Sequence, residues 1–465
     1  MGGGLNAALN SGRTSLQTNQ KAIEITGLNI ANVNTEGYSR QTPYLTPYPA
    51  LNFGDFFIGT GVQVGSVQRS HDVFLDGQIK DKSSEVGLEN SMASPLAELE
   101  RTIGIGDGSL SDEFDQFFDA WRQLSTNPGG EVERQAVLQR GELISHAFVN
   151  VYNETQQVVK NINNTIVSKI DGVNLSIDEI AQLNNRISAI EMSGQEANSD
   201  RDRRDLLLKG LSETIGARSF ETSTGTVSVQ LANGMPLVEG DKATHIISTY
   251  SGTDVNLELD FGTTSISLNR TALGGEFRGL YEMRDVTIPD TVGRLDQLAY
   301  SFATEVNTQH QAGTDLAGNP GVDFFVQPAA VTDAASSLAM NLTATSQIAA
   351  GNTPPPGAPG DNRNALAILD LEQGQLAGLG GNDTLVSYYG KIAATVGVEA
   401  ARNRQAKQGY EDSLIQLQNM RDGIDGVSLE DEMINLMQYQ KGFEASAKFL
   451  ATVDEMMGTL LTLKR

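Results

Sequence analysis

The two ends of this 465-residue chain carry the same narrow apolar stripe. Leu9, Leu16, Ile23 and Ile30 recur every seven residues near the N-terminus, with Leu5, Gly12, Asn19 and Thr26 interleaved in a four-three alternation. Leu429, Leu436, Phe443, Leu450 and Met457 recur the same way near the C-terminus, with Tyr439, Ser446, Val453 and Leu460 at the second seam position. One such stripe on each of two long helices is the pattern of side-by-side coiled-coil packing. A lone helix with so narrow a stripe buries too little surface to offset the entropy of ordering its backbone. The expectation is a fold in which the chain ends meet, with terminal helices mobile in the free monomer and ordered in a larger assembly. Gly12, Asn19, Thr26, Glu432 and Ser446 are small or polar at seam positions and are expected to weaken the two-helix contact.

Between the ends the pattern changes three times. After the first helix, residues 33–75 hold Pro43, Pro47 and Pro49 and read as extended, with Val62, Val64 and Val67 following the Gly59-Thr60-Gly61 turn. Residues 72–216 read as helical, interrupted at Gly104–Gly108 and Asn127–Gly130, with Phe114, Phe117, Phe118, Trp121 and Leu124 on one apolar face. The period then falls to two: Val227, Val229 and Leu231 alternate with polar residues, Asn233-Gly234 marks a hairpin turn, and Val255, Leu257, Leu259 and Phe261 alternate again. Helix returns over 290–311 and 384–422, either side of a loop-rich stretch with prolines at 354–356 and 359. Ser428 is the expected N-cap of the last helix, and Glu430, Asp431 and Glu432 fill the first turn, where the helix dipole favours acids. The fold class is therefore multidomain and mainly α with a small inserted β domain, nested so that both ends return to one place. The expected units are 1–40 with 427–465 as a terminal coiled-coil unit, 41–217 with 281–426 as a mainly helical unit beginning with an extended stretch, and 218–280 as the β insertion.

The residues available for chemistry form no constellation. A net charge of −25, from 58 acidic against 33 basic residues, disfavours nucleic acid and anionic membrane surfaces. There is no apolar run of membrane-spanning length, and the start at Met1-Gly2-Gly3-Gly4 has neither the basic nor the apolar region of a cleaved secretory signal. With no cysteine there is neither disulfide nor thiol chemistry. His71, His146, His245 and His310 lie far apart without metal-site spacing, so no metal or other cofactor is expected. Asp200, Asp202 and Asp205 alternate with Arg201, Arg203 and Arg204 and read as a solvated helix start, and Asp315 to Asp323 reads as a turn. The chain is expected not to be an enzyme.

Asn29-Ile30-Ala31-Asn32-Val33-Asn34-Thr35-Glu36-Gly37-Tyr38-Ser39-Arg40-Gln41 resembles the N-terminal signature of the bacterial flagellar axial proteins, the rod, hook and hook-associated subunits, with Asn29, Asn32, Asn34, Thr35, Gly37 and Tyr38 at its defining positions. Gly61-Val62-Gln63-Val64, Asp72-Val73-Phe74-Leu75 and the stretch from Leu429 through Tyr439-Gln440 to Met456 are similar to further blocks of that family. Glu36 departs from the proline common before the glycine, which is expected to loosen the turn. In the interior, Phe117-Phe118, Trp121, Asn127-Pro128, Arg134, Arg204-Asp205 and Asp323-Phe324-Phe325 resemble the hook-associated members that stand between hook and filament.

The resemblance covers most of the chain and is least specific over 340–380. It implies a structural adaptor exported unfolded through the flagellar type III channel and assembled at the hook tip. The location would be extracellular, in the flagellum, after a transient cytoplasmic stage. The implied partners are further copies of the chain, hook protein, the next hook-associated protein or filament subunit, and a cytosolic export chaperone on Leu436, Phe443, Leu450 and Met457. A distal rod or filament-type subunit is the alternative; a wall-cutting enzyme would need paired carboxylates that do not stand out.

Overall fold

The computed structural model describes residues 2–52, 57–222, 225–252 and 254–463. Helix α1 (Gly2–Ala31) runs without a proline, and the chain then reverses into a two-stranded antiparallel ribbon, β1 (Gln41–Pro47) with β4 (Val62–Arg69), extended by the short pair β2 (Leu51–Asn52) and β3 (Phe57–Ile58). A two-stranded ribbon leaves outward N–H positions unpaired, and these admit Pro43 and Pro47. The ribbon lies against α1: Thr14 and Thr18 hydroxyls donate to the Thr60 and Val62 carbonyls.

Four helices follow. α2 (Val73–Thr102) starts at Asp72, whose carboxylate accepts the Phe74 and Leu75 amides, and α3 (Leu110–Thr126) starts at the Ser109 cap beyond the glycine-rich loop. α4 (Glu131–Glu191) is 61 residues long, and α5 (Asn198–Ile215) turns back beside it. The apolar face expected on α3 is fully buried: Phe114, Phe117, Phe118, Trp121 and Leu124 are 0% exposed and meet Phe148, Phe302, Phe324 and Phe325, mostly edge to face.

The β insertion is two antiparallel sheets. One has β5 (Arg218–Glu221), β6 (Val227–Gln230), β7 (Pro236–Glu239) and β8 (Lys242–Ala243) in sequence order; the other has β9 (His245–Ser251), β10 (Asp254–Asp260) and β11 (Ser265–Leu268). Val227, Val229, Val255, Leu257 and Leu259 point inward as their alternation requires. Two asparagines of α4 dock the sheets by imitating a strand: Asn184 exchanges hydrogen bonds with both backbone groups of Val227, and Asn174 does the same for Ile246. The strands end at Leu268, and residues 275–280, expected within the β unit, already belong to α6 (Gly275–Glu282). Packing overrides the local pattern there, because Phe277 and Leu280 are buried against α2.

A π-helical turn (Met283–Thr287) leads into α7 (Ile288–Gln311), then α8 (Ala334–Ser337) and α9 (Arg363–Gln373) interrupt a long loop. Buried polar side chains hold that loop. Asn307 pairs with both backbone groups of Phe325, and Asp296 accepts the Asp333 and Ala335 amides. His310 is 0% exposed; its Nδ1–H donates to the Val322 carbonyl at 2.5 Å and its Nε2 accepts the Ala349 amide at 2.9 Å. An amide N–H can only donate, so the ring is the neutral Nδ1–H form, and burial lowers its pKa from 6.5 to about 4.

α10 (Leu385–Asp425) returns antiparallel along α2, with Asn403 bonded to Glu89 and Lys407 to Asn90. α11 (Leu429–Leu463) closes the chain beside α1. The fold is thus mainly helical and nested: the terminal helices pair, and the start of α5 touches both the β insertion, through Arg201 to Glu221, and the turn after α1, through Asp202 to the Ser39 amide.

Candidate assembly interface

The reversal after α1 is built around one side chain. Asn29 is 1% exposed; its Oδ1 accepts the Tyr38 hydroxyl at 2.8 Å and the Gln41 amide at 3.0 Å, while its Nδ2 donates to the Gln41 carbonyl at 2.8 Å. The helix therefore fixes the first residue of β1 as a neighbouring strand would. Asn32 bonds the Leu28 carbonyl and accepts from Thr35, and Gly37 takes a φ of +79°, which side chains with a Cβ disfavour. Asn34 is exposed. Glu36 stands 3.4 Å from Lys209 on α5, so the expected loosening is countered by an exposed ion pair and by the Asn29 bonds.

The next residues tie this turn to both helical units. The Ser39 amide donates to Asp202, and Arg69 bridges Asp202 and Asp205 at 2.9 and 2.7 Å. The side chains of Asp202 and Arg69 are buried, which corrects the reading of this acidic run as solvated: the partners of Asp202 and Asp205 sit 133 residues or more away in sequence. Burial lifts the Asp202 carboxyl above its ordinary pKa against the pull of Ser39 and Arg69. Burial, then Asp202 and Glu432, raise the Tyr38 hydroxyl to about 12. Arg40 donates its amide to the Asp425 carbonyl and its guanidinium to Glu432 at 2.7 Å, and the Ser70 hydroxyl donates to Ile424. Both crossings between the terminal helices and the body are thereby fastened together.

The helix pair is antiparallel, and its closest line is made of the small and polar residues expected to weaken it. Ser15 and Ser446 hydroxyls meet at 2.8 Å; a Cβ on Gly12 would lie 3.1 Å from Phe449, and one on Gly442 would lie 2.6 Å from Asn19. Thr26 is 2% exposed and Glu432, paired with Arg40, also 2%. Small side chains let the backbones approach, so these positions are the contact and not its flaws. The heptad apolar residues flank it: Leu9, Leu16, Ile23, Ile30, Leu436, Tyr439, Phe443, Leu450 and Met457 are half-buried, Val453 is 1% exposed and Leu429 47% exposed. The side chain of Leu460 lies outside the described residues. Ser428 caps α11 through the Asp431 amide at 3.4 Å, Glu430 and Asp431 face solvent, and Glu432 turns inward.

Among the described residues no group of three or more His, Asp and Glu side chains is placed to hold a metal, and no helix is long and apolar enough to cross a membrane. A cleft of about 510 Å³ beside the 104–109 loop contains Glu113 and Glu154; Glu113 lies 4.0 Å from Arg140 with its buried Oε2 making no hydrogen bond among the described residues, and Thr102 donates to Glu154. Asp315 accepts the Ala317 and Asn319 amides and so shapes its own turn.

Comparison with known families returns three matches that together cover well over half the chain. Residues 96–325 match the flagellar hook-associated protein FlgK helical domain, residues 9–38 the flagella basal body rod protein family, and residues 425–463 the flagellar basal body rod FlgEFG protein C-terminal family. Flagellar hook-associated protein 1 of Bacillus subtilis is 25% identical, with 97% of each chain covered, and that of Escherichia coli is 24% identical over 99% of this chain and all of the relative. The chain belongs to the flagellar hook-associated protein 1 family. The flagellar hook junction protein FlgK from Burkholderia pseudomallei shares the fold with a TM-score of 0.68 at 15% identity, covering 75% of this chain and 100% of that structure. The rod-type matches fall on α1 and α11, and the FlgK helical-domain match on the helical middle. The chain is accordingly a structural component of the bacterial flagellum and of motility.

Proposed function

We propose that this chain joins the flagellar hook to the filament as a mechanical adaptor, assembled in a ring or helical array through its terminal helices. The observation that carries the reading is the near full-length correspondence with hook-associated protein 1 relatives, helical middle included, since the ends alone would fit any axial subunit. Hook protein lies on one side of the adaptor and the next hook-associated protein or filament subunit on the other. The chain is not an enzyme, a reading supported by its match to flagellar hook-associated protein relatives.

Export runs unfolded through the flagellar type III system from the cytoplasm, which suits a chain with no cysteine to form stray disulfides. Residues 1–40 with 427–465 form the inner unit, 41–217 with 281–426 the next shell, and 218–280 the outer insertion. Leu9, Leu16, Ile23 and Ile30, with Leu429, Leu436, Tyr439, Phe443, Leu450, Val453, Met457 and Leu460, make the assembly seam; the half-buried state of Leu9, Leu16, Ile23, Ile30, Leu436, Tyr439, Phe443, Leu450 and Met457 in one copy supports further cover by neighbours. Before export a cytosolic chaperone covers Leu436, Phe443, Leu450 and Met457 and blocks premature assembly.

Deleting the chain in its host tests the reading. The expected outcome is hooks without filaments and filament subunits lost to the medium. Normal filaments on normal hooks would exclude an essential junction role.

A further inference from the structure

Two sets of apolar residues, one on α11 and one on the ribbon that follows α1, are largely exposed. On α11, Leu429, Met433, Ile434 and Met437 are 47, 57, 58 and 56% exposed, on the side turned away from α1. That follows from about 100° of turn per residue relative to Tyr439, Ser446 and Val453, which face α1. On the ribbon, Tyr44, Leu45, Tyr48 and Phe57 are 58, 45, 42 and 72% exposed. Single exposed apolar residues are ordinary, but clusters of them mark contact surfaces. The outer face of α1 offers no match, carrying Asn10, Arg13, Gln17, Gln20 and Lys21.

We propose that the Leu429–Met437 face of one copy packs on the Tyr44, Leu45, Tyr48 and Phe57 surface of a second copy, in a head-to-tail contact that repeats from copy to copy. The inference rests on the adaptor reading for one step. An adaptor with different partners at its two ends needs all its copies to point the same way. Pairing the α11 face with itself would create a two-fold contact, turn the neighbour around, close at a dimer and leave the ribbon bare. A head-to-tail contact covers both faces and leaves one of each free to continue.

Charge favours the same choice. α11 carries Glu430, Asp431, Glu432, Glu444, Asp454 and Glu455 against Lys441 and Lys448, whereas ribbon segments 41–52 and 57–68 hold no acidic residue. The groove between ribbon and α1 holds Lys21 and Glu24, which offset each other, beside Tyr48 and Val64. An acidic helix thus meets a near-neutral surface, and not a second helix of its own sign. Met433 and Met437 are flexible enough to fit aromatic neighbours.

The natural chain has no cysteine, so introduced thiols report only on their own positions. Full-length Met437→Cys and Tyr44→Cys variants are expressed separately and together in a host lacking its own copy, and isolated flagella are mildly oxidised. A disulfide dimer that requires both variants is expected, and a chain carrying both substitutions should give a ladder of dimers, trimers and longer species. Dimers from Met437→Cys alone at equal yield, or a ladder that stops at the dimer, would overturn the proposal. So would the absence of any cross-link in cells whose filaments are normal, and that result leaves the adaptor reading standing. If the unsubstituted chain fails to restore filaments, the adaptor reading falls and takes the polarity argument with it.

Discussion

Asn29 and His310 are single residues that each stand in for a piece of secondary structure. Removing the Asn29 amide leaves both backbone groups of Gln41 and the Tyr38 hydroxyl without a partner. Each stranded buried group costs about 1–3 kcal/mol, so Asn29→Ala should lower the melting temperature and open residues 32–41 to proteolysis. Tyr38→Phe removes one bond only and should cost about 1 kcal/mol; equal effects of the two variants in thermal melts would contradict this account. His310 makes a pH prediction with a definite sign. Its folded pKa of about 4 lies below the unfolded 6.5, so the unfolded chain binds the extra proton between those values. Its contribution is complete above pH 6.5, falls through the window down to about 4, and amounts to on the order of 3 kcal/mol. Trp121 is the only tryptophan and its ring lies 6.3 Å from His310, so urea melts read by its fluorescence follow the right region. His310→Gln should show a shallower pH slope in that window than the natural chain.

At the scale of helices and strands, the α1 and α11 contact turns on side-chain size. Gly12→Ala pushes only on the movable tips of Phe449 and Leu450 and should be nearly neutral. Gly12→Leu cannot fit at the backbone separation that Ser15 and Ser446 set, and should release α11 to fast amide exchange while α2 and α10 keep their protection. Arg40→Met strands the buried Glu432 carboxylate and should cost more than Glu432→Gln, which keeps a hydrogen-bonding group and removes the charge; chemical denaturation of both variants checks the order. These elements show what the sequence makes legible. Periodicity located the long helical stretches, strands β6 and β10 of the insertion and the α3 face, because those signals are local; the short strands around them and α6, α8 and α9 are too brief to show a period. The burial of Asp202 and Glu432 was not legible, since their arginines lie 133 and 392 residues away and a charged residue near a helix start ordinarily faces water. The small residues at the seam were visible, but a stripe pattern alone does not distinguish a gap from a close approach.

The whole molecule is organised so that its longest-range contacts lie in the part devoted to assembly. Ser15 and Ser446 are 431 residues apart, and closing a loop of that length comes late in folding. Leu436 lies half-buried on α11, within both the proposed assembly seam and the proposed chaperone surface. Leu436→Asp should abolish incorporation into flagella and weaken chaperone capture together, as read by flagellar fractionation and a pull-down; incorporation at the normal level would argue against the seam. The nesting also acts as a test of completeness. Among the described residues the first helix made has its long helical partner in the last, so a chain truncated by a ribosome, a protease or a nonsense codon can hold every residue of its aromatic core and its insertion and still lack α11. If the chain assembles through its terminal helices as proposed, such a fragment lacks half of the surface it would join by. On that reading the topology is itself a quality control: only molecules intact from end to end would join a structure in which one missing subunit would break the whole.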